Sequence, residues 1–388
     1  MTTADVIIIG GGVHGASLAF HLALRGLEPL VLERGTLAAG ATGRSSGLVR
    51  MHYDLKPEAE LAWASFQYFR NWEERVGGDC GFRRTGFLQL VRPDHSQALR
   101  ANVAMQQGLG IPTFAVSPDD VRRLAPSFFT EDFEVAAFEP ESGYADPSAT
   151  AAAFMSAARN RGGRLIQDCQ VTGITIAAGA VQSVESSQGR FSAPVVVDAA
   201  GAWAGPVARL AGVEAPVDTW RHDTMFVRRP PALSTGHPTV IDDGNSMYFR
   251  PETGGLTLIG LEDGNPLGQS PDGDADHALP GFVERAVERI CRRIPAMEAA
   301  SLHSAHGGYD GISPDQRAIL GPAGPDGFFL QCGFSGTGFK IAPAVGASMA
   351  AWIVDGTPLP VDLTPFGLSR FEEGRRLEGE HAYQAIWR

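Results

Sequence analysis

Lysine is nearly absent from this chain. Of 388 residues only Lys56 and Lys340 are lysines, and every other strong base is arginine. Cysteine is also scarce: Cys80, Cys169, Cys291 and Cys332 lie far apart and form no CxxC pair. That spacing argues against a disulfide framework or a zinc site, and predicts reduced thiols and a cytoplasmic location. No apolar run is long enough to span a bilayer. Val6-Ile7-Ile8-Ile9 lies close to the first residue with no basic stretch before it, so it is not expected to act as a signal peptide. The formal net charge is -12, and a nucleic-acid surface would need clustered Lys and Arg. There are 47 Gly and 26 Pro but no run of either, which argues against a low-complexity tract. What remains is a composition of 44% hydrophobic and 20% charged residues, ordinary for a globular enzyme. The length suggests two or three domain-sized units.

The β-branched run ending at Ile9 reads as a buried parallel strand. Gly10-Gly11-Gly12-Val13-His14-Gly15 follows, then helical spacing over Ala16–Arg25 and a second strand, Leu30–Leu32, that ends on Glu33. This is one βαβ unit. Further along, Gly86–Val91 predicts a strand and Gln97–Leu109 a helix. Ser117-Pro118-Asp119-Asp120 marks a helix start, and an Ala-rich helix is expected from Pro147 to Arg161. Met225–Val227, Ser246–Arg250 and Leu256–Gly260 alternate like an antiparallel sheet, with turn signals at Asp243-Gly244 and Thr253-Gly254-Gly255. A strand at Phe328–Gln331, a glycine loop and a helix over 342–354 form a last α/β unit. The expectation is one nucleotide domain assembled from separate segments, with a sheet-rich substrate domain inserted twice.

Gly10-x-Gly12-x-x-Gly15 stands where its mechanism requires it, after a strand and opening a helix. The first glycine permits the tight turn, the second lets backbone approach a pyrophosphate, and the third lets helix and strand pack closely. Glu33 lies at the offset of the acid that binds a ribose hydroxyl. Directly after it, Gly40-Ala41-Thr42-Gly43-Arg44-Ser45-Ser46-Gly47-Leu48-Val49-Arg50 offers small residues, hydroxyls and an arginine. Such a segment suits a long ligand that extends past its pyrophosphate, and so favours FAD.

Near the other end, Gly333-Phe334-Ser335-Gly336-Thr337-Gly338-Phe339-Lys340 separates a strand from a helix. A loop of this kind presents backbone N–H groups and a positive helix end, which suit the charge that develops on a reduced flavin. One of the two lysines closes it.

With these residues in view, the chain resembles the D-amino-acid-oxidase superfamily of flavoenzymes, in its sarcosine-oxidase-like branch. The resemblance rests on VIIIGGGVHGASLAFHLALRG, GATGRSSGLVR, VVVDAAGAW, YFRPETGGLTLIG, and GYDGISPDQRAILGP leading to GFSGTGFKIAP. It implies an α/β fold: a Rossmann-type FAD-binding domain (1–80, 145–215 and 305–370) with an inserted antiparallel-sheet (α+β) substrate domain (81–144 and 216–304) and a C-terminal tail, 371–388. It implies that Gly10, Gly12, Val13, His14, Gly15, Glu33 and Arg34 hold the ADP half of FAD. Thr42, Arg44, Ser45, Ser46, Gly47 and Leu48 would contact phosphate and ribityl. Val171 would meet the adenine through its backbone, and Ala200, Gly201 and Trp203 would wall the cofactor. Gly336, Thr337, Gly338, Phe339 and Lys340 would sit at the pyrimidine edge of the flavin.

The resemblance also places Arg50 and Lys340 at the substrate carboxylate. Arg250, Tyr248 and Tyr309 are further candidates for the pocket, and His52 and His306 are left undecided. Relatives that attach FAD covalently do so through a histidine or a cysteine where this chain has Arg44 and, near it in the alignment, Gly308, so non-covalent FAD is expected. Oxidases of the branch use a lysine near the flavin to activate oxygen. The matching region, Gly255–Gly260, contains Thr257 and no lysine.

The activity implied is oxidation of the C–N bond of a secondary amine or N-alkylated amino acid, sarcosine- or proline-like, by hydride transfer to flavin N5. The electrons would pass to O₂ or another acceptor. Two alternatives stay open: an FAD enzyme for a primary D-amino acid, glycine or a 2-hydroxy acid, or a flavin-binding subunit that works only with a partner subunit.

Overall fold

The structure is a computed structural model that describes residues 2–383. The strand Val6–Ile9 lies at the middle of a six-stranded sheet and is buried on both faces. Pro29–Leu32 and then Arg164–Ile166 flank it on one side. Val195–Asp198, Phe328–Cys332 and Ile319–Pro322 follow on the other. Every pairing is parallel except the last, which is antiparallel. Early, middle and late segments thus meet in one sheet.

Successive side chains of the central strands serve opposite layers. Ile8 and Val31 face the helices Val13–Leu24, Pro147–Arg159 and Ala342–Asp355, packing with Phe20, Phe154 and Met349. Ile7, Leu30 and Val196 face the other way, against Val184, Phe191 and Ala208. A four-stranded sheet made of Thr2–Thr3, Gly189–Ser192, Ala180–Ser186 and Val171–Ala177 covers that second side. Burying each such aliphatic side chain is worth about 1.5–3 kcal/mol, so the sheet is fixed from both faces and its strand ends are held still.

The inserted regions build an eight-stranded sheet. Its order is Ser301–Ile312, Asp218–Arg228, Leu256–Leu261, Met247–Glu252, Thr239–Asp242, Phe87–Leu90, Ala136–Glu139 and Phe114–Val116. Only the pairing of Thr239–Asp242 with Phe87–Leu90 is parallel. Val240, Phe249 and Ile259 pack beneath the helix Phe282–Arg293 through Phe282, Ala286 and Ile290. The strand Ser301–Ile312 pairs with Asp218–Arg228 along most of its length, so it runs through the domain boundary expected at 305. Of the expected tail, 384–388 lie outside the described residues.

Several elements were not in the sequence reading, among them the strands Ala136–Glu139, Thr239–Asp242 and Ile319–Pro322. Lys56–Phe69 is a helix where no element was expected. Pro57 resembles a helix breaker, but in the first turn its missing N–H leaves no bond unmade. Leu61, Ala62, Ser65, Phe66 and Phe69 then share the buried face. The strand expected at Met225–Val227 extends from Asp218 to Arg228, because its polar residues are paired across the sheet as fully as its apolar ones. At Ser117 the expected helix start is present, with a capping box to Asp120. All four cysteines are free. Among the described residues no helix is long and apolar enough to cross a membrane, and no group of acids, histidines and cysteines could hold a metal.

Candidate active site

The parallel strands Val6–Ile9, Pro29–Leu32 and Val195–Asp198 end at a cavity of about 660 Å³. This is where open α/β sheets take their ligands. Gly10 turns the chain out of its strand at a φ of +113°, and a Cβ at Gly15 would run into the Gly10 carbonyl oxygen. Gly15 therefore packs the helix against the strand and does not line the cavity. Helix Val13–Leu24 has no acid in its first turn and no capping side chain. Its positive end opens on the cavity beside Gly10, Gly12, Val13 and His14. Thr42 lines the cavity too, and its hydroxyl accepts from the Val13 N–H at 3.0 Å.

Glu33 receives two backbone N–H groups, from Gly11 and Gly35, each at 2.7 Å. These fix the carboxylate at the rim, where a ribose diol would meet it. Arg34, Arg44, Ser45, Ser46, Leu48, Val171, Ala200, Gly201 and Trp203 complete this part of the wall. The guanidinium of Arg34 stacks on Trp203 at 4.0 Å, and both groups bind Asp272. Arg44 donates to the carbonyls of Ala275 and Gly307 and pairs with Asp276 at 2.9 Å. Residues 272–276 are thereby held to the cavity rim by its own lining residues. The segment's role was not legible in the sequence, because neither its composition nor its periodicity marks it. Gly47 supports the loop from behind, its φ of +67° and its close approach to Ala145 leaving no room for a Cβ.

The two glycine loops are joined. The His14 ring stacks on Phe334 at 3.5 Å, and its Nε2 lies 3.0 Å from the Gly338 carbonyl oxygen. Burial pushes the His14 imidazole down to about 3, so it is neutral. Gly336, Gly338, Phe339 and Lys340 line the cavity. Thr337 does not, since its hydroxyl donates to the Phe334 carbonyl.

The remaining wall brings together Leu48, Arg50, Trp220, His222, Ile241, Tyr248 and Lys340. Arg50 and Lys340 come from opposite ends of the chain and both flank the ring of Tyr53. The Arg50 guanidinium is 4.5 Å from the ring centroid and the Lys340 ammonium 5.7 Å. The Tyr53 hydroxyl donates to the Thr337 carbonyl at 3.2 Å, which ties the glycine loop to this segment. Burial, and then the charge of Arg50, hold Lys340 well below the ordinary lysine range, while Glu58 and Asp310 pull it back up. Arg50 and Lys340 thus share one end of the cavity, with the buried carboxyls of Glu58 and Asp310 also acting on Lys340.

Tyr248 projects from its strand with its hydroxyl 2.9 Å from Nε2 of His222. Burial raises the tyrosine and lowers the histidine, the latter to about 3, so both are neutral hydrogen-bonding groups. His222 and Trp220 were missed at the sequence level, although their spacing of two along one strand was a signal. Asp310 was missed as well; it accepts from the Gly336 N–H at 2.7 Å. Arg250 does not line the cavity. It pairs with Glu252 at 2.8 Å, donates to the Ser46 carbonyl and stacks on Tyr144 at 4.2 Å. Tyr309 does line the cavity, its hydroxyl held by Arg221 and the Asp274 carbonyl. His52 and His306 lie off its wall.

The sequence matches the family described as FAD dependent oxidoreductase (DAO) over residues 5–352. Mitochondrial sarcosine dehydrogenase of Mus musculus is 30% identical over 95% of this chain, which spans 42% of that protein. The mitochondrial regulatory subunit of pyruvate dehydrogenase phosphatase of Mus musculus is 28% identical over 94%, spanning 43%. The chain thus spans less than half the length of these curated relatives. Among solved structures, L-proline dehydrogenase from P. horikoshii superposes with a TM-score of 0.90 at 25% identity, over 97% of this chain and 100% of that one. The nucleotide cradle, the paired glycine loops and the match over nearly the whole sequence lead to one conclusion: this chain belongs to the DAO family of FAD-dependent oxidoreductases.

Proposed function

We propose that the enzyme oxidises the C–N bond of a carboxylated secondary amine of the sarcosine or proline class. The observation that carries this reading is the buried pair Arg50 and Lys340 at the end of the FAD cavity. Two fixed cations suit a substrate carboxylate, Arg by a bidentate fork and Lys as a point charge. FAD supplies the hydride acceptor when bound. The chain's own residues anchor the carboxylate and, through the neutral His222–Tyr248 pair, present hydrogen-bonding groups with no positive charge to an uncharged amine. Trp220, Ile241 and Leu48 give the pocket an apolar wall. Sarcosine dehydrogenase and L-proline dehydrogenase, to which the chain is similar, support the substrate class.

The test is a panel of sarcosine, dimethylglycine, proline, glycine and a 2-hydroxy acid, assayed on the purified chain with an artificial electron acceptor. Turnover of the secondary amines above the others is expected; preference for glycine or the hydroxy acid would overturn the reading. Silence towards every member would favour a flavin-holding subunit that needs a partner, a reading to which the regulatory-subunit relative gives some support.

We further propose that the FAD is held without a covalent bond, because Arg44 and Gly308 stand where attachment would need His or Cys. Acid precipitation is expected to leave the yellow colour in the supernatant. Apoprotein carrying Glu33→Ala should then bind FAD roughly ten- to a hundredfold more weakly. This corresponds to losing a charged acceptor worth about 1.5–3 kcal/mol. Unchanged affinity on titration would remove Glu33 from the ribose site.

A further inference from the structure

The segment that follows Glu373 does not trail away from the body of the protein. The Leu377 N–H donates to Asp315 at 3.1 Å, and Gly379 presses against Asp54 so closely that a Cβ would lie 2.7 Å from its carboxyl carbon. The His381 carbonyl accepts from Asn102 at 2.9 Å. Tyr383 is then only 2% exposed, packed among Val91, Leu99, Val103, Val135 and Ala137. Its hydroxyl is 2.9 Å from Nε2 of fully buried His52, and the two rings lie nearly parallel. His52 is two residues from Arg50 and next to Tyr53, the ring that both cations flank.

The strap touches three separate parts of the fold: Asp315 beside the parallel sheet, the 50–54 segment, and Asn102 and the apolar cluster of the inserted region. The 50–54 segment belongs to no helix or strand. Its anchors are few and specific. The Met51 N–H donates to Glu139 at 2.9 Å, Gln106 donates to the Tyr53 carbonyl at 2.9 Å, and Asp54 pairs with Arg317 at 2.7 Å. The His52 side chain pairs with the strap through the Tyr383 hydroxyl.

We propose that Tyr383 is a positioning residue, which by holding His52 fixes the 50–54 segment and completes the anion anchor formed by Arg50 and Lys340. The inference rests on the reading of that pair as the substrate anchor. A buried hydroxyl paired to a buried imidazole has a defined geometry, and losing it removes one of the polar partners of His52, the Gln106 side chain being another. A misplacement on the order of 1 Å can cost about a hundredfold, so a loosened segment weakens anchoring before it affects the cofactor cradle.

The test compares Tyr383→Phe, Tyr383→Ala and a chain ending at Glu373, all loaded with FAD, using acetate as the anion probe. Hydrogen exchange of amides 50–54 is expected to quicken at least tenfold in Tyr383→Ala and in the shortened chain, and less in Tyr383→Phe. Exchange in Val6–Ile9 should not change. The acetate Kd, read from the flavin absorption, should rise five- to tenfold, and KM for sarcosine should rise with kcat nearly kept. Unchanged exchange at 50–54, or an acetate Kd within twofold of the wild type in Tyr383→Ala, overturns the proposal. Failure of wild-type protein to respond to acetate would instead overturn the anchor reading, while the exchange data still decide whether the strap holds 50–54. If the shortened chain does not fold, Tyr383→Phe carries the comparison.

Discussion

Arg50→Ala is expected to lower kcat/KM for a carboxylated amine about a hundredfold while leaving FAD content near that of the wild type. Removing one partner of a buried charge pair costs about 2–5 kcal/mol, and a loss near 3 kcal/mol corresponds to roughly that factor. Lys340→Ala should have an effect of similar size. The double variant should fall well short of the product of the two, because both charges meet one carboxylate.

The pH profile separates the two cations. Lys340 is held well below the ordinary lysine range by burial first and by Arg50 second. It therefore loses its proton earlier than an exposed lysine as pH rises, and a neutral amine no longer attracts the carboxylate. KM should climb on the alkaline side, and Lys340→Arg, charged throughout, should remove that limb. Bound carboxylate favours the protonated form, so the limb in kcat should lie at higher pH than the limb in kcat/KM. Wild-type kcat/KM in both single variants would refute the clamp.

The features legible in the sequence were those where local chemistry and function coincide. Gly10, Gly12, Gly15 and Glu33 are recognisable because a tight turn, a close approach and a diol acceptor each demand one residue type at one offset. Lys340 stood out because lysine is rare here and its neighbours are glycine and apolar residues. The helix Lys56–Phe69 went unread although Pro57 stands in its first turn, where proline is compatible with a helix. Arg250 shows the opposite error: its place on a strand near other candidates suggested the pocket, but Glu252, two residues away, occupies it on the same face. The rim segment 272–276 and the Tyr383 strap depend on contacts between residues far apart in the chain. No local pattern announces a tyrosine that will be buried against His52.

With oxygen as the only acceptor, turnover is expected to be at least tenfold slower than with an artificial dye. An electron passed to oxygen creates an anion, and a cation about 4 Å away in a setting of effective dielectric near 20 stabilises it by about 4 kcal/mol. The described cations that line the cavity are Arg34, Arg44, Arg50 and Lys340. The first two are paired with Asp272 and Asp276. The second two are proposed to meet the substrate carboxylate, whose single negative charge offsets part of theirs whenever substrate or product is bound. The strand Leu256–Leu261, where the resemblance would place an oxygen-activating lysine, contributes no residue to the cavity wall. Its Thr257 is engaged by His237 at 2.9 Å and by Arg229 at 3.3 Å. Lys56 is exposed on its helix, 3.8 Å from Glu60. A site arranged this way offers oxygen its full positive charge only after the product has left. Stopped-flow measurement on enzyme reduced by sarcosine, mixed with oxygen or with dye, reads the difference directly. Adding acetate to hold the clamp occupied should slow the oxygen reaction further and leave the dye reaction nearly unchanged. Oxygen consumption as fast as substrate oxidation would mean that Arg50 or Lys340 serves the acceptor as well as the carboxylate.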